Sequence, residues 1–132
     1  MTFYEITQQD QALIEAALQK LDAHYDGEHY RHTVGSAVRC ADGRVFAGVN
    51  CDGIHGSCAE YIAIGSAISQ GGCHFDTIVA VHRQFPNQVI PPCGNYRQMM
   101  IEYCPDIKVL LNNDEGQLVK VGIRDLLPFA CP

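Results

Sequence analysis

A chain of 132 residues is long enough for one domain with a real core and too short for two, so residues 1–132 read as a single domain. Its 47% hydrophobic and 18% charged residues suit a packed globular protein and exclude a disordered one. A formal charge of -6, with no run of Lys or Arg, repels phosphate backbones and excludes a nucleic-acid partner, leaving a small neutral or cationic substrate as the expectation.

Thr7 ahead of Gln8-Gln9-Asp10 reads as a helix start, with a hydroxyl to cap the first turn and an acid at its positive end. Leu13, Ile14, Ala17, Leu18 and Leu21 then recur at helical spacing and give that helix one apolar face. Tyr25 to Arg31 is polar and is expected as loop. Two extended runs follow, Thr33 to Cys40 and Arg44 to Val49, joined by Asp42-Gly43, a hairpin step because Gly tolerates the positive φ such turns need. Cys58 to Ser69, rich in Ala and Ile at helical spacing, predicts a second helix stopped by Gly71-Gly72. Thr77 to Val81 reads as a buried strand, Gly94 to Tyr103 as a third helix ended by Pro105, and Ile107 to Leu111 as another strand. Asn112 to Gly116 is a turn, Gln117 to Val121 a short strand and Ile123 to Leu127 a short helix. This order predicts an α/β fold with a mixed sheet of about five strands between helices.

Seven cysteines are many for this length, but an odd number at irregular spacing does not make a disulfide scaffold. Met1 to Glu5 lack the basic and apolar regions of a signal peptide, so the expected location is the reducing cytoplasm. Cys40, Cys73 and Cys104 are then expected as small buried hydrophobes. No apolar stretch approaches the length needed to cross a bilayer, and no membrane partner is expected.

Two cysteines stand apart from that background. Cys58, two residues before Glu60, opens one predicted helix; Cys93, after Pro91-Pro92, opens another. A helix N-terminus favours thiolate over thiol, and the thiolate is the metal ligand. A hydrolytic zinc site needs three protein ligands, an open position for water, and a carboxylate beside that water to carry its proton. Cys58 and Cys93 suit the first task and Glu60 the last. The third ligand is open among Tyr96, three residues after Cys93, and His55 and Cys51 on the loop before Cys58. Cys104, eight residues beyond Tyr96 on the same predicted helix, is about 12 Å away and out of reach.

These segments resemble the cytidine deaminase family, and within it the blasticidin-S deaminase branch. The similarity runs from about Thr33 to Pro128 and includes Asp42 to Asn50, Cys58-Ala59-Glu60, Pro92-Cys93-Gly94, Arg97-Gln98 and Val121 to Pro128. The resemblance implies a three-layer cytidine deaminase-like sandwich assembled as a homotetramer, with active sites near subunit junctions. It implies zinc as cofactor, held by Cys58 and Cys93, and Glu60 as the proton shuttle in hydrolysis of the 4-amino group of a cytosine-type nucleoside or analogue. Tyr96 falls where the family carries its last zinc cysteine, so a metal-depleted homologue that binds a nucleoside without deaminating it is the alternative. Asn50 matches a residue that hydrogen-bonds the ribose, and Asp52 falls where nucleoside deaminases carry a Glu with that task. His32 sits where an aromatic ring meets the base, Phe46 and Ala59 are carried over as substrate contacts, and Phe129 resembles the C-terminal aromatics that close a neighbouring subunit's pocket.

Overall fold

A computed structural model describes residues 1–132. Helix α1 (Gln8–His24) starts as its sequence demands: the Thr7 hydroxyl accepts the Asp10 N–H at 3.2 Å, and the Asp10 carboxylate accepts the Thr7 N–H at 2.9 Å. One reciprocal pair thus satisfies two donors that the helix leaves orphaned. Strands β1 (Val34–Cys40) and β2 (Val45–Val49) form the hairpin, with Gly43 at φ 93°, where a Cβ would be strained. Then come α2 (Ala59–Ser69), β3 (Phe75–His82), α3 (Gly94–Tyr103), β4 (Lys108–Asn112) and β5 (Leu118–Gly122). The short terminal helix is a 3-10 turn over Ile123–Leu126.

The strands lie in the order β2-β1-β3-β4-β5 and are antiparallel except for β3 and β4. That parallel pair, with Thr77 opposite Lys108, needs a crossover, and α3 supplies it. Strand alternation sorts the side chains into two cores. Ala37, Val79, Val81 and Leu110 pack with Leu13, Ala17 and Leu21 of α1. Val38, Ile78 and Val109 pack on the opposite face with Ala63, Ile64 and Ala67 of α2 and Met99 and Met100 of α3. The result is the expected sandwich of helix, mixed five-stranded sheet and helices. Gly48 sets the spacing that matters for the site. A Cβ there would lie 2.5 Å from Ile62 Cγ2, so only bare backbone lets α2 settle this closely on β2.

A buried charge cluster ties α1 to the sheet. Asp10 is wholly buried and receives Arg39 Nη2 at 3.0 Å and Lys120 Nζ at 2.8 Å. Arg39 also reaches Asp76 at 3.0 Å and Thr77 at 3.2 Å, so one network joins α1, β1, β3 and β5. Burial opposes the charged form of Asp10, but the hydrogen bonds from Lys120, the Thr7 N–H and Arg39 outweigh it and hold the carboxyl below its ordinary range.

The cysteine expectation needs one correction. Cys40 and Cys73 are not free thiols; they form a disulfide, with Cα atoms 5.8 Å apart. The β1–β3 register puts Cys40 opposite Phe75, which brings Cys73 alongside although 33 residues separate the two cysteines. The pair no longer supports the inference of a reducing compartment. Cys104 is a buried free thiol as expected, and burial pushes it up to about 12. No helix is long and apolar enough to cross a membrane.

Candidate active site

The N-termini of α2 and α3 face each other. Cys58 caps α2 at φ -72° and ψ 163°, and Cys93 caps α3 at φ -70° and ψ 167°. Neither side chain bonds its own helix, so both thiols are available to the space between the helix starts. The Cys58 thiol is close enough to Tyr96 and Cys93 for both to bear on its ionisation. The helix N-terminus does not make Cys58 a ready thiolate, as its position in sequence suggests. Burial pushes the thiol up, and the neighbouring Glu60 and Cys93 add to that, against the hydrogen bond from Tyr96.

Tyr96 sits on the first turn of α3 with only 6% of its surface exposed. Its ring meets Tyr61 edge-to-face, centroids 5.1 Å apart, and its hydroxyl oxygen accepts the Cys58 N–H at 2.8 Å. Burial raises the phenol to about 12. Arg97 holds the approach to this helix: its Nε donates to the Pro92 carbonyl at 2.8 Å and its Nη1 to the Leu126 carbonyl at 2.9 Å. Gln98 exchanges two hydrogen bonds with the backbone of Cys131 and pins the C-terminal residues to α3.

Glu60, on the first turn of α2, is 3% exposed and faces Ile78, Ala80, Ile90, Pro92 and Met100. Burial in this apolar setting pushes its carboxyl up, opposed only by its own backbone N–H. A carboxyl so placed is suited to holding and releasing a proton.

The second wall is the loop between β2 and α2. Asn50 Oδ1 accepts the Val34 N–H at 3.0 Å, and its amide donates to Asp52 at 3.2 Å. Asp52 in turn accepts the His32 N–H at 3.0 Å, and His32 Nδ1 lies 2.8 Å from the Asn50 carbonyl oxygen, which makes Nδ1 the donor. His32 holds a φ of 55°, a left-handed conformation that this set of bonds sustains. Cys51 and Ser57 pair backbone to backbone at 2.9 and 3.0 Å, which closes the loop and sets Asn50 and Asp52 beside the start of α2.

The structure therefore gathers His32, Asn50 and Asp52 into one bonded cluster, and Cys58, Cys93, Tyr96 and Glu60 into another around the two helix starts. Ala59 is fully buried at the first position of α2. Phe46 belongs to neither cluster. It stands four residues before Asn50, about 13 Å along an extended strand, where it packs against the α2–α3 core beneath Arg44. Phe129 packs on nothing in its own chain and is fully exposed at φ 56°. His55 and Cys51 are exposed, and no three His, Cys, Asp or Glu side chains converge in a metal-holding arrangement, so neither completes a set with Cys58 and Cys93. Sequence reasoning missed Tyr61. The one sign of Tyr61 was its position, three residues after Cys58, on the same helix face.

The chain belongs to the cytidine deaminase family: the cytidine and deoxycytidylate deaminase zinc-binding region matches residues 7–111. It is 39% identical over 138 residues to blasticidin-S deaminase of Bacillus cereus, across 98% of this chain and 96% of that one. It is 36% identical to a cytidine deaminase of Halalkalibacterium halodurans, across 91% of this chain and 92% of the other. The crystal structure of cytidine deaminase from Burkholderia pseudomallei superposes with a TM-score of 0.76 at 35% identity, over 96% of this chain and all of that one. That from Mycobacterium tuberculosis gives 0.75 at 26% identity, over 92% and 96%.

The family implies zinc, and the residues present do not fit it. A catalytic zinc takes three protein ligands. Here two thiols stand beside a phenol that is harder to ionise than usual and is already an acceptor for the Cys58 N–H. No other His, Cys, Asp or Glu supplies the missing ligand.

Proposed function

We propose that residues 1–132 form a single-domain nucleoside-site protein that takes a cytosine-type nucleoside or an analogue of the blasticidin-S kind. The base would meet His32, and the sugar hydroxyls would meet Asn50 and Asp52. The observation that carries this reading is the hydrogen-bonded cluster of His32, Asn50 and Asp52, fastened by the Cys51–Ser57 pairing to the helix that bears Glu60. Membership of a family with cytidine and blasticidin-S deaminases supports the substrate class. Calorimetric titration with cytidine tests it, and heat no greater than that of dilution would refute it. Asp52→Ala, at an exposed position, should weaken cytidine binding by about 1–3 kcal/mol and free cytosine by clearly less, the smaller loss coming from the His32 N–H that Asp52 also accepts. Equal loss for both ligands would remove Asp52 from the sugar site.

A second reading, zinc-dependent hydrolysis of the 4-amino group, is favoured by Glu60 itself, a buried carboxyl with no basic partner. Such a group is costly to keep unless it has work to do. Ammonia release from cytidine or blasticidin S, abolished by a chelator, would support it over binding alone.

We also propose a homotetramer. Phe129 and Ile54 are almost wholly exposed, and Ile62 and Ile68 show apolar surface on α2 that no element of the chain covers. Native mass spectrometry should then find four times the 14.5 kDa chain, and a monomer at micromolar concentration would exclude it.

A further inference from the structure

We infer that Tyr96 plugs the third corner of this site, so that the chain takes up no catalytic zinc and its pocket works without a metal. Only the last clause rests on the nucleoside-site reading. A cysteine at position 96 would end at its sulfur and leave room for an ion between the helix starts. The phenol instead reaches across to the backbone of Cys58, and its oxygen is committed to that N–H at 2.8 Å. To ligate a metal the hydroxyl would have to give up its proton and share with the ion an oxygen that already accepts the first backbone donor of α2. The ring cannot move aside easily. It is 6% exposed, packed in the core with Met99 and Met100, and braced edge-to-face by Tyr61 at 5.1 Å. Two thiols remain, and two ligands are one too few. The consequence is a site floor made of the Tyr96 hydroxyl and the Cys58 and Cys93 side chains, with Glu60 beside them on the first turn of α2.

Zinc content is the direct readout. The wild-type protein, Tyr96→Cys and Tyr96→His are each incubated with excess zinc sulfate under reducing conditions, passed through gel filtration, and measured by plasma mass spectrometry. The wild type should keep less than about a tenth of an equivalent, and the two variants about one per chain, since Cys and His are the usual third ligands. The second variant guards against one of them failing to fold. A wild type that keeps about one equivalent overturns the proposal, and its loss in Tyr96→Phe would then make the phenol a ligand. Folded variants that both stay empty overturn it as well, because Tyr96 would not be what bars the metal. Cytidine titration of the same zinc-free wild type separates the two readings: no binding refutes the nucleoside site and leaves the zinc result standing.

Discussion

Asp10→Asn should destabilise the fold by about 3–5 kcal/mol at neutral pH, the loss typical when one partner of a buried ion pair is removed. Asp10 is 0% exposed, and it alone faces both Arg39, 7% exposed, and Lys120, 6% exposed. Asparagine keeps the shape and one acceptor but leaves two cations buried with half their countercharge; Asp76, more open to solvent, remains to Arg39 only. Arg39 Nη1 already lacks a partner, so the cluster has no spare acceptor to take up the loss. The sign with pH follows from linkage. The folded-state carboxyl lies below its unfolded value of about 3.9, so its contribution is complete above that value and is lost as pH falls through the folded one. The gap between wild type and variant should therefore be full at pH 7 and shrink as pH falls below about 4, where the unfolded chain takes up the proton first, until the folded carboxyl is protonated as well. Urea melts of both proteins at the two pH values check this. A gap under about 1 kcal/mol at neutral pH would mean that the cluster is a matter of specificity rather than stability.

That cluster shows where sequence reading stopped. The apolar period of α1 and the Asp42-Gly43 turn were legible because each depends on residues that are neighbours in the chain. Arg39 in a buried strand had no local explanation, because its partners stand 29 and 37 positions away and meet it only once α1 lies across the sheet. The Cys40–Cys73 bridge was hidden for the same reason, its partners brought together by strand register. In the site, Cys58, Glu60 and Cys93 were readable as helix starts, and the helices begin there. What Tyr96 does could not be read, since it turns on a ring packed against Tyr61 and a hydroxyl reaching the backbone of another helix. Phe46 shows the limit of reading a site from a matching segment: it lies four residues before Asn50 on β2 and packs against the α2–α3 core, apart from both clusters.

Glu60→Gln, placed on the Tyr96→Cys background, should lower deamination of cytidine by about 10²–10⁴-fold and change cytidine affinity by no more than a few-fold. Replacing an amino group by the oxygen of water requires a proton to leave the water and a proton to reach the departing ammonia. Of the residues around this pocket, Glu60 is the carboxyl set behind the helix start against the apolar floor of Ile78, Ile90 and Pro92. Burial there raises its affinity for a proton toward the range in which a single group can both accept and deliver one. Glutamine preserves the volume and the hydrogen-bonding reach of that side chain but carries no exchangeable acid proton, so binding should survive and turnover should not. The Tyr96→Cys background matters because the wild-type chain offers too little turnover to measure a loss if Tyr96 bars the metal. Steady-state ammonia release and calorimetry on the same preparations resolve the two quantities, with zinc content confirmed equal in both variants. If turnover were to survive the Gln substitution within about tenfold, Glu60 would not be the group that moves the proton, and its burial would have to be explained by packing against β3 alone.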